Sequence, residues 1–546
     1  MQPFCFEFGD HFIPFGQWEL AFRVYSESNV YALAAESLNI EKDGTTTVIT
    51  TDSFAWAGLQ KRMPGTFKAV VEEIESSAGA PRPPQERGPC APRPSFLRWS
   101  IEASLPERIK GTTTYVRGIP EGQVADKFFN FVDHGEGKFD IFRYPTYSKV
   151  PVHFYRHGED DYTYAVTEDT EIRGKTFSMQ YRNGHVLELH HHEDARKWST
   201  HQQTPAWRLG KTHNPLEVLE FRMNLMEKEW GLKPWEERPD VPGWARQICL
   251  TLNLHGTHWT GFIMNDYARQ LEIIRYVSER IDGQHVLAYL PAWDGRYNYN
   301  WPRYEPDNDM GGAEGLRQLV DGAHQLGAHV IPQIGAQSAN RAFLPAGLHD
   351  SAFQDAYGNT YSKAVEWDRD HMPDTYRVNA SMGHPGFRQF LFDKACGLKE
   401  RFNFDGIFFD INQAFHNDSR FHVTDGHQEI ARRLQERFDD FLVFGETWYD
   451  GLLPAYPLVH IGALEQWNEI FEKYCRQTYH LYHPAPGHGS TGVYDCGYRE
   501  PFLPDPEKDI IPAIAFVEDT FEIYRDVVDQ TIEIGKAYGR RKGIIE

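Results

Sequence analysis

At 546 residues, 40% hydrophobic and 25% charged, the chain is large enough for two or three domains, each burying a sizeable core. A formal charge of −22 excludes a phosphate-backbone partner, which requires clustered Lys and Arg, and no stretch is long and apolar enough to span a bilayer. Six scattered cysteines without a CxxC pair point to neither a zinc site nor a disulfide framework, so no metal or cofactor is expected.

Residues 1–240 read as β-rich. Alternating runs such as Trp18–Tyr25, Thr113–Val116 and Tyr162–Val166 are separated by turn formers, among them Lys42-Asp43-Gly44 and Arg182-Asn183-Gly184. Many short strands with frequent turns predict a β-sandwich. Gly79–Pro94 is a proline-rich interruption, read as a loop between strands. His190, His191 and His192 are consecutive, and on a strand their side chains alternate sides, so they cannot all converge on one ion. A helical pattern over Pro215–Trp230 leads into a linker from about residue 231, with prolines through Lys233–Gly243, where the domain boundary is set.

From residue 241 strands alternate with helices, the pattern of a (β/α)8 TIM barrel. The expected strands are Ile248–Leu254, His285–Leu290, Ala328–Ile334, Gly406–Phe409, Phe441–Gly445, Leu458–Ile461, Gln477–Tyr482 and Ile511–Val517. Helices are expected over Ala313–Leu326, Gly386–Arg401, Gln428–Phe438 and Phe521–Tyr538. The long segment Gly335–Met382 leaves the third strand at its carboxyl end and is expected to wall the mouth of the barrel. Met1–Leu20 lacks a basic start followed by an apolar run, so the expected compartment is cytoplasmic, or periplasmic or secreted if a signal was removed. Oligomeric state stays open.

Two apolar strands end in acids, Gly406–Phe409 in Asp410 and Phe441–Gly445 in Glu446. A helix joins them, so both strands run the same way and both acids emerge at the face where such barrels hold their chemistry. Neighbouring strands lie about 4.8 Å apart, so the two carboxylates can face one ligand. Paired carboxylates at that spacing suit glycosidic-bond cleavage with retention, one attacking the anomeric carbon and the other protonating the leaving oxygen. Asp410, with Asn412 and His416 following, is read as the nucleophile. Glu446, between Phe444 and Trp448, is read as the general acid/base because an apolar setting favours the protonated form. Other strand-end residues, His255, Trp259, Trp293, Asp294, Gln333, Trp448 and Asp519, supply hydrogen-bonding groups and rings for a glycoside or oligosaccharide. Asp519 also suits a helix cap. Of Trp259, Trp293, Trp301 and Trp448, at least two are expected to expose a ring face to the cleft.

The segment YLPAWDGRYNYNWPRYEPDNDMGGAEGLRQLVDGAHQLGAHVIPQ, with FDGIFFD and FGETW, resembles α-amylase-like glycoside hydrolases, in which the matching Asp and Glu are nucleophile and acid/base. Phe408 stands where that superfamily has an Arg, and Gln333-Ile334-Gly335 where it has Asn-His. Asp410-Ile411-Asn412 also resembles, more distantly, the α-galactosidase and α-glucosidase families, which place a β-sandwich before the barrel. The resemblance implies hydrolysis or transfer of α-linked glycosidic bonds. Two other readings stand beside it: a carbohydrate-binding barrel without catalysis, and a metal-dependent barrel hydrolase using His255, His258 and strand-end acids.

Overall fold

The computed structural model describes residues 10–56, 61–75, 95–125, 131–134, 139–181, 185–365, 375–461, 469–479 and 503–546. The predicted turn at Arg182-Asn183-Gly184, the loop Gly79–Pro94 and the last three residues of the predicted seventh strand lie outside them. The chain forms two compact units, Met1–Gly231 and Leu232–Glu546.

The first unit is a 15-stranded antiparallel sheet. Its spine is the strand Ser95–Ile119, which changes partners along its length. Phe96–Ser104 runs between Lys61–Glu75 and Ser199–Thr212, whereas Ile109–Arg117 runs between Trp18–Ser26 and His185–His192. Inward side chains, among them Leu20, Trp99, Phe177 and Trp207, join in one hydrophobic cluster. Strict alternation of burial along His185–His192 follows from the two-residue period of a strand. His190 and His192 therefore share a face, where their rings stack at 4.0 Å, while His191 turns the other way toward Glu193.

The second unit is built on eight parallel strands: β1 (Leu250–Leu254), β2 (Val286–Leu290), β3 (His329–Gly335), β4 (Gly406–Asp410), β5 (Leu442–Gly445), β6 (Leu458–Ile461), β7 (Arg476–Tyr479) and β8 (Ala513–Phe516). They pair in chain order, with β8 returning to β1. A single parallel bridge, Thr478 to Ile511, links β7 to the β8 segment, so the barrel is nearly closed. β1, β2, β4 and β5 are buried at every position, which is why β2, β5 and β4 up to Asp410 read as apolar runs, while β1 intersperses Thr251 and Asn253. Helices Tyr267–Ser278, Gly312–Gln325, Pro385–Phe402 and Val423–Arg437 follow the first four strands. The proline-studded stretch after residue 231 is bonded into this unit: Trp235 N–H donates to the Lys473 carbonyl (2.6 Å), and Arg238 donates to those of Leu453 (2.6 Å) and Tyr474 (3.0 Å). Among the described residues no helix is long and apolar enough to cross a membrane.

Register and strand tilt sort the barrel interior into layers of side chains from alternate strands. The ladder pairs Asn253 with Tyr289 and Tyr289 with Ile331. Further round, Gln333 pairs with Phe408, Phe408 with Phe444, and His460 with Thr478. With a stagger of about one residue per strand, Thr251, Ile331, Phe444 and Thr478 form the lowest layer. The Thr478 hydroxyl duly donates to that of Thr251 (3.0 Å). Tyr289, Phe408, His460 and Ala513 form the next. Its rings pack at 4.5 Å (Tyr289 to Phe408), 4.6 Å (Phe408 to His460) and 5.0 Å (Tyr289 to His460). Phe408 thus belongs to an aromatic floor, which gives a physical reason for an apolar residue there. Asn253, Gln333 and Glu446 stand in the layer above, and Asp410 tops the barrel.

Candidate active site

Asp410 is the last residue of β4 and is buried, with 1% of its surface exposed. Its Oδ2 accepts hydrogen bonds from the Tyr297 hydroxyl (2.7 Å) and Gln333 Nε2 (2.6 Å), and its Oδ1 accepts from the Ile411 N–H (3.0 Å). That N–H also donates to Glu446 Oε2 at 2.7 Å. One backbone donor therefore joins the two carboxylates, whose facing oxygens lie within two hydrogen-bond lengths of each other. The geometry depends on a left-handed backbone at Ile411 (φ 53°), which is strained for a β-branched residue.

Asn412 maintains this arrangement. Its Nδ2 donates to the Thr447 carbonyl (2.8 Å), and its Oδ1 accepts from the Thr447 N–H (3.0 Å) and hydroxyl (3.1 Å). The amide thus braces the loops after β4 and β5 and fixes Glu446 beside Asp410. Gly445 is what lets it approach: a Cβ there would come within 2.6 Å of Asn412 Nδ2. Gln333 is held in turn, its Oε1 accepting from the Ala292 N–H (3.3 Å). Burial pushes the Tyr289 phenol far above its usual range, with Asp410 and Glu446 adding to the effect, so below the pair it remains a neutral hydroxyl.

The remaining expected site residues are more dispersed. His416 is packed between the rings of Phe353 (4.7 Å) and Tyr361 (4.3 Å), and burial lowers its pKa. Both partners belong to the segment after β3, which is also tied to the β4 loop through Gln337 and Ala414 (3.0 and 2.8 Å). That segment therefore lies at the carboxyl end of the strands. Asp294 is buried, and neither carboxyl oxygen accepts a hydrogen bond of ordinary geometry. Burial, reinforced by Asp307, pushes its pKa up to about 8 although the N–H groups of Asp294 and Tyr304 partly offset this. Asp294 thus carries its proton near neutrality. His255 is buried at the end of β1, with its carbonyl accepting from Asn265 Nδ2 (3.0 Å). Asp519 is half-buried before the short helix Thr520–Ile523, and its side chain makes no capping bond.

The expectation of two exposed indole faces fails. Trp293, Trp301 and Trp448 are buried, and only Trp259 of the four is half-exposed. Trp293 donates to the Gln333 carbonyl (2.8 Å) and Trp448 packs 4.4 Å from Phe471, so these rings support the mouth from behind. Tyr297 was missed by the sequence reading. Its signal was its place in the aromatic run after β2, but nothing in that run singles out which ring reaches Asp410. Among the described residues no three His, Cys, Asp or Glu side chains are grouped so as to hold a metal ion.

No protein-family profile matches the chain. A malto-oligosyltrehalose trehalohydrolase of Deinococcus radiodurans is 22% identical over 292 residues, 53% of this chain and 42% of that protein, so the match spans less than half of the relative. An α-N-acetylgalactosaminidase of Bifidobacterium bifidum, NagBb, solved as a GalNAc complex, superposes with a TM-score of 0.65 at 11% identity, covering 97% of this chain and 93% of that one. A GH31 family sulfoquinovosidase from E. rectale, in complex with an aza-sugar inhibitor, gives 0.51 at 11% identity, covering 97% and 83%. At these identities the likeness is one of fold: the chain has the barrel-type fold of glycoside hydrolases.

Proposed function

We propose that the chain is a glycoside hydrolase that cleaves, or transfers, α-linked sugars with retention, using Asp410 as nucleophile and Glu446 as general acid/base. The observation that carries this reading is the Ile411 N–H shared between the two carboxylates. Oxygens bonded to one donor are held near the roughly 5–5.5 Å of retaining enzymes and short of the roughly 6.5–9.5 Å that admits an inverting water. Asp410 accepts from a phenol, an amide and a backbone N–H, donors that orient it. Oδ2 takes both side-chain donors, which leaves Oδ1 as the attacking edge. Glu446, fixed beside Asp410 by the Ile411 N–H on Oε2, carries the proton to the leaving group. Attack by Asp410 breaks the glycosidic bond as Glu446 protonates the departing oxygen. Water then releases the sugar, giving its proton back to Glu446.

The α-glycosidase names among the structural neighbours, with sugar or aza-sugar ligands bound, support a carbohydrate substrate. We read the antiparallel sheet as a β-sandwich that ends at a linker from about residue 231, and residues 241–546 as the catalytic barrel. The partner-switching of Ser95–Ile119 around one core supports a sheet that folds over itself. The test is a panel of aryl α- and β-glycosides, with the first-formed anomer followed by NMR. Turnover of an α-glycoside with retention is expected. Inversion, or wild-type rates in Asp410→Asn, would overturn the assignment.

A further inference from the structure

Asn253 shares the upper layer of the barrel interior with Gln333 and Glu446, yet differs from both. It is 1% exposed, and its Oδ1 is buried without a hydrogen-bond donor. Native interiors leave few acceptors in that state, because a carbonyl removed from water forfeits its solvation with nothing in return. Gln333, by contrast, uses both ends of its amide, one on Ala292 and the other on Asp410.

Its neighbours indicate what the unpaired acceptor faces. In register beside Asn253 on β8 is Ala515, with Ala513 two residues below it. At these two positions β8 contributes only methyl groups, whereas Tyr289, Phe408 and His460 fill the layer beneath the two acids. The ladder pairs Asn253 with Tyr289 on the other side, so both lie on the β1–β2 flank of the mouth, across from Glu446. A ring seated between Asp410 and Glu446 and extending over the alanines brings a hydroxyl within reach of Oδ1.

We infer that Asn253 is a substrate-binding residue whose Oδ1 accepts a hydrogen bond from one ring hydroxyl of the sugar held at Asp410 and Glu446. The inference rests on the glycosidase reading for the identity of the ligand. It deepens that reading by placing sugar recognition on the first strand, where the sequence offers no acid or aromatic signal. Asn253 then sets which sugar epimer is accepted, because its acceptor is fixed by the strand and only one hydroxyl orientation satisfies it.

The experiment measures equilibrium binding by calorimetry in full-length Asp410→Asn protein, which cannot turn substrate over. The probes are the aryl α-glycoside that the wild type cleaves fastest and its monodeoxy analogues or, if none is cleaved, free D-glucose, D-galactose and N-acetyl-D-galactosamine with their deoxy forms. Adding Asn253→Leu is expected to weaken the parent sugar about tenfold, while one deoxy analogue binds both proteins equally. Asn253→Asp keeps an acceptor in place and is expected to retain binding. Asn253→Leu is also expected to raise the denaturation midpoint, since it removes an unsatisfied buried group. Equal weakening for the parent and every analogue, unchanged affinity for the parent, or no binding by either protein would each overturn the inference. Hydroxyl-dependent binding without turnover by the wild type would reject the hydrolase reading and leave Asn253 assigned.

Discussion

Asp169 in the first unit and Asp410 in the second are both carboxylates with almost no exposed surface, 3% and 1%, and their surroundings differ in kind. Asp169 accepts from Arg173 Nη2 (2.8 Å) and Nε (2.9 Å) and from Lys175 Nζ (2.7 Å), while Arg173 also reaches Glu193 (2.9 Å) and the Asp169 carbonyl accepts from Arg222. Burial alone would raise the pKa of Asp169, but Lys175 and Arg173 outweigh it and hold the group far below the carboxylate range. Asp410 accepts from three neutral groups and lies beside a second acid. A carboxylate neutralised by two cations is a poor nucleophile. A carboxylate oriented by neutral dipoles keeps its charge available for a developing cation, as an oxocarbenium-like transition state requires. The first arrangement ties strands and helix together, and the second is arranged for chemistry.

The largest effect that separates them is catalytic. Asp410→Asn is isosteric but replaces one acceptor oxygen with an NH2 that faces an N–H donor, so turnover is expected to fall by roughly 10⁴-fold or more while the protein stays folded. Glu446→Gln is expected to cost about 10²–10⁴-fold on substrates with poor leaving groups, and far less on aryl glycosides that depart without protonation. A loss independent of leaving group would remove Glu446 from the acid role.

In the first unit the effect falls on stability. Asp169→Ala strands Arg173 and Lys175 in the interior and is expected to destabilise the fold by about 3–5 kcal/mol, read from urea denaturation. A midpoint within error of wild type would mean that the network is relaxed and wet. The same network sets an acid limit. Burial would raise Glu193, but His191 and Arg173 bring its pKa down from 4.5 to about 2. A depressed folded-state pKa contributes stability that is complete above the unfolded value and is lost as pH falls from about 4.5 toward 2. Midpoints measured across that window are expected to decline, and more shallowly in Glu193→Gln.

The smallest effect concerns orientation. Tyr297→Phe removes one of the donors to Asp410 Oδ2 and is expected to lower kcat/KM roughly tenfold, because the carboxylate has lost a group that orients it. An unchanged kcat/KM would reduce Tyr297 to a packing role.

Strands β4 and β5 were legible within a residue because a parallel strand buried on both faces must be written as consecutive apolar residues. The acids that end them were legible for the same reason, since a charge closing such a run emerges at one known face. The short strands β6 and β7 were visible too, and the antiparallel sheet followed from alternation and turns. The indoles misled, because size and aromaticity specify burial as readily as stacking, and packing assigned three of them to the interior. Several features were decided by the tertiary structure alone. Tyr297 reaches Asp410 across 113 residues of sequence, Ile411 adopts a left-handed backbone that its side chain disfavours, and Asn412 spends its amide on Thr447. Asn253 enters the layer of Gln333 and Glu446 through the stagger of the strands. Sequence records which residues can be buried, while the direction of an N–H and the height of a side chain in a closed barrel depend on how all eight strands tilt together.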